Sequence, residues 1–254
     1  MSSAASLLPE LFQSDRVYGW SQGMRSVTRA VWSNREPAPG PILELGCGGA
    51  TFLADLHNSG RRVVGLDLHS LALVQARRAL GGDGPGLIQA DVQRLPCAEG
   101  SFAAVVALDV LDQKGVELAA ALEQSWRVLR EGGLLVVRVS AHEWLHSEHD
   151  DAFNTGRRYD PGSLASALRA AGFGIERMTY ANTLLGLPVV FLRLFQRWQF
   201  LPFSESLYRV QMFNGLLLAA LQMEAHWLRR WDLPIGLSLF AVARKPAAMG
   251  DGES

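Results

Sequence analysis

The chain has 254 residues, long enough for one domain with an elaboration, and 48% of them are hydrophobic, enough for a sizeable core. A formal net charge of −1 gives no electrostatic reason to expect nucleic acid as a partner. Two cysteines, Cys47 and Cys97, exclude a disulfide framework; with no membrane-length apolar run and no signal-peptide pattern, a reduced, cytoplasmic setting is expected.

Residues 1–33 read as helical, with Tyr18, Trp20 and Arg25 forming a polar-aromatic patch. Glu36-Pro37-Ala38-Pro39-Gly40-Pro41 is stiff and ends that cover near residue 40. Then Ile42-Leu43-Glu44-Leu45 breaks into Gly46-Cys47-Gly48-Gly49-Ala50 and opens a helix at Thr51. A buried parallel strand turns into a helix in this way when the backbone has to approach a ligand closely. Cys47 reads as a small packing residue in that turn.

A second apolar run, Val63 to Leu66, ends in Asp67, placed to accept hydrogen bonds from ribose hydroxyls. A third, Leu87 to Ala90, ends in Asp91, for which a turn cap is the bland alternative. A helix over 70–80 lies between them. Phe102 to Leu108 reads as a buried strand. Leu118, Leu122, Trp126 and Leu129 share one face of a helix that Gly132-Gly133 stops, and Leu134 to Val139 follows as a strand. Asp160-Pro161 starts another helix, closed at Gly172, and Ile175–Tyr180 and Leu237–Ala243 are late strands. Alternation of this kind predicts an α/β, Rossmann-like, mostly parallel sheet of seven strands with helices on both faces.

Residues 184–231 interrupt that alternation. Val190, Leu194 and Trp198 share a helical face with Phe191 and Phe195, opposite Arg193 and Arg197, and the stretch carries five arginines against two glutamates. A helical insertion before the last strand is expected, with 41–183 and 232–247 forming the core around it. A lid over an apolar pocket, a homodimer surface and a helix lying on a membrane stay open for it. His142, His146 and His149 fall in a polar stretch with Glu148 and Asp151 at spacings that match no rigid ligand set, so no metal is expected. His149 is the candidate general base, oriented by Asp150, and Arg157-Arg158-Tyr159 could hold an anionic or phenolic acceptor.

These pieces together resemble the class I S-adenosylmethionine-dependent methyltransferases of small-molecule type. The resemblance rests on Glu44-Leu45-Gly46-Cys47-Gly48, Gly65-Leu66-Asp67, Gln89-Ala90-Asp91-Val92 with Leu95-Pro96, Ser101-Phe102 leading to Val105–Leu111, and Leu129-Arg130-Glu131-Gly132-Gly133. It implies S-adenosyl-L-methionine as cofactor. Glu44, Leu45, Gly46, Cys47 and Gly48 would line the methionine pocket, Asp67 would take the ribose, and Leu68 would lie against adenine. Asp91 would meet the adenine amino group beside Val92, and Leu108 would offer a backbone contact near the sulfonium. Thr51 stands where a nicotinamide-dinucleotide fold, which shares this layout, wants a third glycine.

Two departures are visible. Ala50 replaces a glycine common at the end of the first motif, and Asp112-Gln113 stand where the family often has Glu-His. A narrower similarity, to a group of bacterial methyltransferases, lies in Trp144, His149-Asp150 and Arg157-Arg158-Tyr159, with Asn154 and Thr155 where those relatives often carry a second histidine. Arginine supplies every basic residue except Lys114 and Lys245, as in a GC-rich, bacterial genome. The expected activity is methyl transfer to a small, lipophilic molecule, with oxygen favoured as acceptor atom and Tyr18, Trp20, Arg25, Trp144 and Tyr159 as acceptor contacts. The alternative is a protein of this fold that binds the cofactor without methylating.

Overall fold

The computed structural model describes residues 19–35, 37, 39–81, 84–146, 150, 154–184, 186 and 211–247, without the side chains of 211–213. His149, Tyr18, Glu148, Asp151 and most of the expected insertion, 187–210, lie outside the described residues.

Seven apolar runs, mostly too short for helices, pair into one sheet: β1 (Ile42–Leu45), β2 (Val63–Asp67), β3 (Gly86–Gln89), β4 (Phe102–Leu108), β5 (Leu129–Ser140), β6 (Gly174–Ala181) and β7 (Ser238–Arg244). Their order is β3-β2-β1-β4-β5-β7-β6. β1 to β5 run parallel, and β7 is antiparallel to both β5 and β6. The chain leaves the β3 edge and returns on the far side of β1. The loops after β1 and β4 therefore diverge, which opens a crevice at the carboxyl ends of the strands.

Among the described residues six helices cover the sheet: α1 (Gly19–Trp32), α2 (Thr51–Asn58), α3 (Ser70–Leu80), α4 (Leu118–Val128), α5 (Pro161–Ala170) and α6 (Gln211–Leu228). The two-residue period of a strand sorts side chains between the layers. Along β4, Ala104 and Val106 pack with Met24 and Val27 of α1, Phe52 and Leu53 of α2 and Leu221 of α6, whereas Val105 and Ala107 pack with Leu122 of α4 and Leu164 and Leu168 of α5. The start of α5 is capped reciprocally: the Asp160 carboxylate accepts the Ser163 N–H at 2.9 Å, and the Ser163 hydroxyl accepts the Asp160 N–H at 3.2 Å.

One boundary differs from the sequence reading. Leu129, expected on the face of α4, is already extended (φ −74°, ψ 139°) and pairs with Phe102, so the helix ends at Val128 rather than at the glycines. Gly132 (φ +70°) lies within an irregular part of β5 instead. The pairing of Leu129 with β4 is a long-range contact that overrides local helical periodicity.

The described end of the 184–231 stretch is built into the core. Leu221, Ala225 and Leu228 of α6 are buried with Met24, Val27 and Val31 of α1 and with Phe240 and Val242 of β7. The two helices approach closely where α1 carries glycines one turn apart: a Cβ at Gly23 would lie 2.4 Å from the Leu221 Cβ, and one at Gly19 would lie 2.2 Å from the Asn214 carbonyl oxygen. The C-terminal half of α6 is also tied down. The buried Glu224 carboxylate accepts the N–H groups of Asn182 at 2.8 Å, Thr183 at 2.5 Å and Leu184 at 2.9 Å. Arg177 donates to the carbonyls of Val31 at 2.8 Å, Leu228 at 2.7 Å and Trp231 at 3.1 Å, satisfying helix-end acceptors of α1 and α6. Gly23→Val should therefore lower stability by about 1–3 kcal/mol through overpacking, read from the urea midpoint. An unchanged midpoint would mean that the two helices separate without cost.

Candidate active site

The loop from β1 to α2 lies at the centre of the crevice. Gly46 (φ +67°) and Gly48 (φ +50°) adopt left-handed backbone, and Ala50 (φ +59°) does the same at the start of α2. At Gly46 two requirements coincide, because a Cβ there would also meet the Val110 side chain at 2.8 Å. The Ala50 methyl, where the resemblance leads one to expect glycine, is fully buried in the core beneath the loop.

Carboxylates border this loop. Glu44 is buried at the end of β1, with Gly65 of β2 and Val106 of β4 as its strand partners. Asp67, at the end of β2, accepts the Gly48 N–H through Oδ2 at 2.9 Å and the His69 N–H through Oδ1 at 2.9 Å. A carboxylate offers about four acceptor positions, so each oxygen keeps one for a hydroxyl donor. Leu68 beside it is exposed, an apolar surface presented to the crevice. Asp91 caps its own turn, accepting the Gln93 N–H at 2.9 Å, and Gln93 in turn donates to the Gly115 carbonyl at 3.1 Å. Val92 is buried next to it, and Leu108, at the end of β4, is half-buried.

Cys47 lies within this ring. Burial first, and then the Glu44 and Asp67 carboxylates, push its thiol pKa far up, so the thiol stays protonated and packs, as its place in the turn predicts.

On the other side of the crevice, three acid pairings organise the ends of β4 and β5. Asp109 (φ +53°) accepts two hydrogen bonds from Arg138, the first at 2.8 Å, and Arg138 lies over the Trp20 ring at 5.8 Å, which ties α1 to the rim. Asp112, which replaces the family's common Glu, is buried and accepts the Ser140 N–H at 2.8 Å, while its carbonyl accepts the Gly156 and Arg157 N–H groups. Asp150 and Arg158 form a buried pair, and Arg158 also donates to the Ala141 carbonyl at 2.8 Å.

These pairings redistribute the acceptor residues expected from sequence. Asp150 is engaged with Arg158. Tyr159 is buried, its hydroxyl 3.3 Å from the Leu111 carbonyl and its N–H bonded to the Ser140 carbonyl, so it acts as a core post rather than an open contact. Arg157 is exposed, with its guanidinium 5.1 Å over the Tyr159 ring. Arg25 pairs with Asp55 of α2 at 3.0 Å, which commits it to helix packing. Trp20 and Trp144 remain at the rim.

His142 is the residue that the sequence undervalued. It follows β5 directly, at φ +61°, with its N–H bonded to the Tyr159 carbonyl. Its ring stacks on Tyr180 (5.1 Å, 11°) and lies 5.7 Å from Trp144. Nε2 is buried and has no hydrogen-bond partner among the described residues. Loss of water holds the imidazole pKa below its usual value, against an opposing hydrogen bond with the Gly236 backbone, so the neutral form prevails at physiological pH. The signal in the sequence was position: His142 falls where the β5 apolar run meets the crevice, whereas His149 was favoured for its acidic neighbour. Among the described residues no cluster of three or more His, Cys, Asp or Glu side chains could hold a metal.

Asp112 supplies a pH test. Burial, and then Asp109, push its carboxyl up to about 6 from an ordinary 3.8. The folded chain binds this proton more tightly than the unfolded chain, so the stability it contributes is fully present below about pH 4 and is lost as pH rises through 6. Asp112→Asn, which keeps an acceptor for Ser140, should gain stability relative to wild type between pH 4 and pH 6 in urea titrations. A pH-independent difference would remove Asp112 as a titrating group.

With this geometry in place, similarity to known proteins can be read. Residues 43–137 match the family model for a methyltransferase domain, the span that forms the glycine loop and all three rim carboxylates. A curated protein of Encephalitozoon cuniculi, named as a methyltransferase, is 31% identical over 116 residues, 44% of this chain and 51% of that protein. The chain therefore matches about half the length of that relative. The crystal structure of the [4+2]-cyclase SpnF superposes with a TM-score of 0.62 at 19% identity, covering 90% of this chain and 83% of that one. Geranyl diphosphate methyltransferase, in complex with GPP and sinefungin, superposes at 0.59 with 17% identity over 86% of this chain and 77% of its own. The segment that builds the crevice is thus similar to a methyltransferase domain, and the sheet around it shares the fold of solved S-adenosylmethionine-dependent methyltransferases.

Proposed function

We propose that this chain transfers the methyl group of S-adenosylmethionine to a small, lipophilic acceptor, with oxygen as the favoured acceptor atom. The observation that carries the acceptor assignment is the His142–Tyr180–Trp144 cluster, a neutral imidazole in an aromatic setting at the end of β5. Aromatic faces suit an apolar acceptor, and a neutral imidazole suits the removal of a hydroxyl proton.

The cofactor fits the other half of the crevice on two counts. The left-handed turn at Gly46 and Gly48 brings bare backbone to the crevice, and the border of carboxylates supplies acceptors for hydroxyl and amino groups. In this reading Glu44 and the Gly46–Gly48 backbone hold the methionine end, Asp67 the ribose with Leu68 against adenine, Asp91 and Val92 the adenine edge, and Leu108 a backbone contact near the sulfur. Bound S-adenosylmethionine supplies an electrophilic methyl group, and its transfer is an in-line displacement that needs no covalent help from the protein. The chain's work is to hold the acceptor in line, where orientation is worth ~7–11 kcal/mol, and to keep water out. His142 then takes the acceptor's proton at Nε2, which the acceptor must first uncover because the rim side chains bury it. His149 is the second candidate for that proton.

A second reading has a specific observation behind it: the cyclase SpnF shares this fold over 90% of the chain, against 86% for geranyl diphosphate methyltransferase. This chain would then bind the cofactor and catalyse a reaction other than methylation. Purified protein supplied with S-adenosylmethionine labelled in the methyl group and a lipid extract separates the two. Label entering the organic phase supports methyl transfer, and binding without turnover supports the alternative.

Asp67→Ala should weaken cofactor binding by ~1–3 kcal/mol, because charge-assisted hydrogen bonds are lost; an unchanged dissociation constant in calorimetry would overturn the ribose assignment. The kcat/KM of the wild type should fall on acidification through an apparent pKa below 6.5, where His142 gains a proton. His142→Gln should abolish that acidic limb and reduce turnover about 100-fold or more while leaving cofactor affinity in place. If the limb survives in His142→Gln and disappears in His149→Ala, the role passes to His149.

A further inference from the structure

We infer that the outer face of α6 is a docking surface for an anionic phospholipid membrane. The helix has two faces. Leu221, Ala225 and Leu228 are buried against α1 and the sheet. Leu216, Met223 and Trp227, spaced by seven and four residues, fall on one stripe of the opposite face, since seven and eleven residues are close to whole numbers of helical turns. They are 66%, 63% and 53% exposed, and Trp231, just past the helix end, is 62% exposed with its ring 6.5 Å from that of Trp227. A row of large apolar side chains left in water on a helix whose other face is fully used marks an interaction surface.

Charge identifies the occupant. Trp231 adjoins a polar cavity of about 270 Å³ at the C-terminal ends of α1 and α6, lined by Asn34, Arg35, Arg177, Arg229, Arg230 and Asp232. Arg177 pairs with Asp232, and Arg35 lies 3.9 Å from Glu176. Arg229 and Arg230 are exposed, and among the described residues no acidic group is within ion-pair distance of either. The cationic surplus is local: the chain carries −1 overall, yet this cavity gathers Arg35, Arg177, Arg229 and Arg230 against Asp232. Tryptophan indoles settle at the boundary between acyl chains and headgroups, and guanidinium groups beside them meet phosphate. Since no helix among the described residues is long and apolar enough to cross a bilayer, contact of this kind lies on the surface.

The test is co-sedimentation of the full chain with vesicles of phosphatidylcholine, with and without phosphatidylglycerol. Wild type should bind the vesicles that contain phosphatidylglycerol, and added salt should weaken binding. Trp227→Ser/Trp231→Ser and Arg229→Glu/Arg230→Glu should each reduce it about tenfold or more. Cofactor affinity should be unchanged in both, because neither pair lies in the crevice, so failure here is distinguishable from failure of the proposed activity. Thermal melts of both variants confirm folding, and the arginine pair alone carries the test if the tryptophan variant unfolds. Absence of vesicle binding by wild type, equal binding by the variants, or indifference to phosphatidylglycerol would overturn the inference. So would a wild-type dimer that ignores vesicles and dissociates on tryptophan substitution, since a second copy would then be the occupant.

Discussion

The crevice depends on one carboxylate holding one loop. Asp67 accepts the N–H groups of Gly48 and His69, so the end of β2 fixes the turn between β1 and α2 before any ligand arrives. Without that tie, a loop with left-handed residues at 46, 48 and 50 would have many alternative conformations, and its ordering would have to be met by ligand binding. The same carboxylate keeps acceptor positions that these two N–H groups do not use.

Across the crevice, stability comes from burying charge in pairs. Asp150–Arg158 is the buried pair, in the segment after β5, while the partly exposed Asp109–Arg138 pair joins the ends of β4 and β5, and Asp112 joins β4, β5 and the 154–158 chain through one carboxylate and one carbonyl. Removing one member of a buried pair leaves its partner uncompensated, typically at a cost of 3–5 kcal/mol. This arrangement gives a physical account of the departure at Asp112-Gln113: the position serves the scaffold, and the imidazole at the rim comes from His142 instead. The cost of holding His142 at positive φ and stacked on Tyr180 is supported by its backbone bond to Tyr159, itself anchored in the core.

The α1–α6 pair gives the molecule two independent surfaces. Glycines on α1 let the helices approach closely, and Arg177 and Glu224 fasten the C-terminal half of α6 to β6 and the residues after it. The inner face completes the core, while the outer stripe and the arginines at its end are left for another purpose. In this way the stretch that interrupts the alternation of strands and helices adds a surface to the fold without disturbing the crevice.

What the sequence determined by itself was the set of local decisions. Apolar runs bounded by glycine and aspartate specified the strands of the parallel core, the positions of Glu44, Asp67 and Asp91 at or just past their carboxyl ends, and the helix start at Asp160-Pro161, because these follow from spacing and backbone chemistry within a few residues. Tertiary structure decided what depends on distant partners. Leu129 became strand because Phe102 was there to pair with it; Tyr159 and Asp150 were taken into the core by Leu111 and Arg158; Arg25 was claimed by Asp55. His142 acquired its setting only when β6 brought Tyr180 alongside, 38 positions away in the chain. A carboxylate, an arginine or an imidazole has the same local signature whether it holds the scaffold or faces a ligand, and only the packing around it settles which.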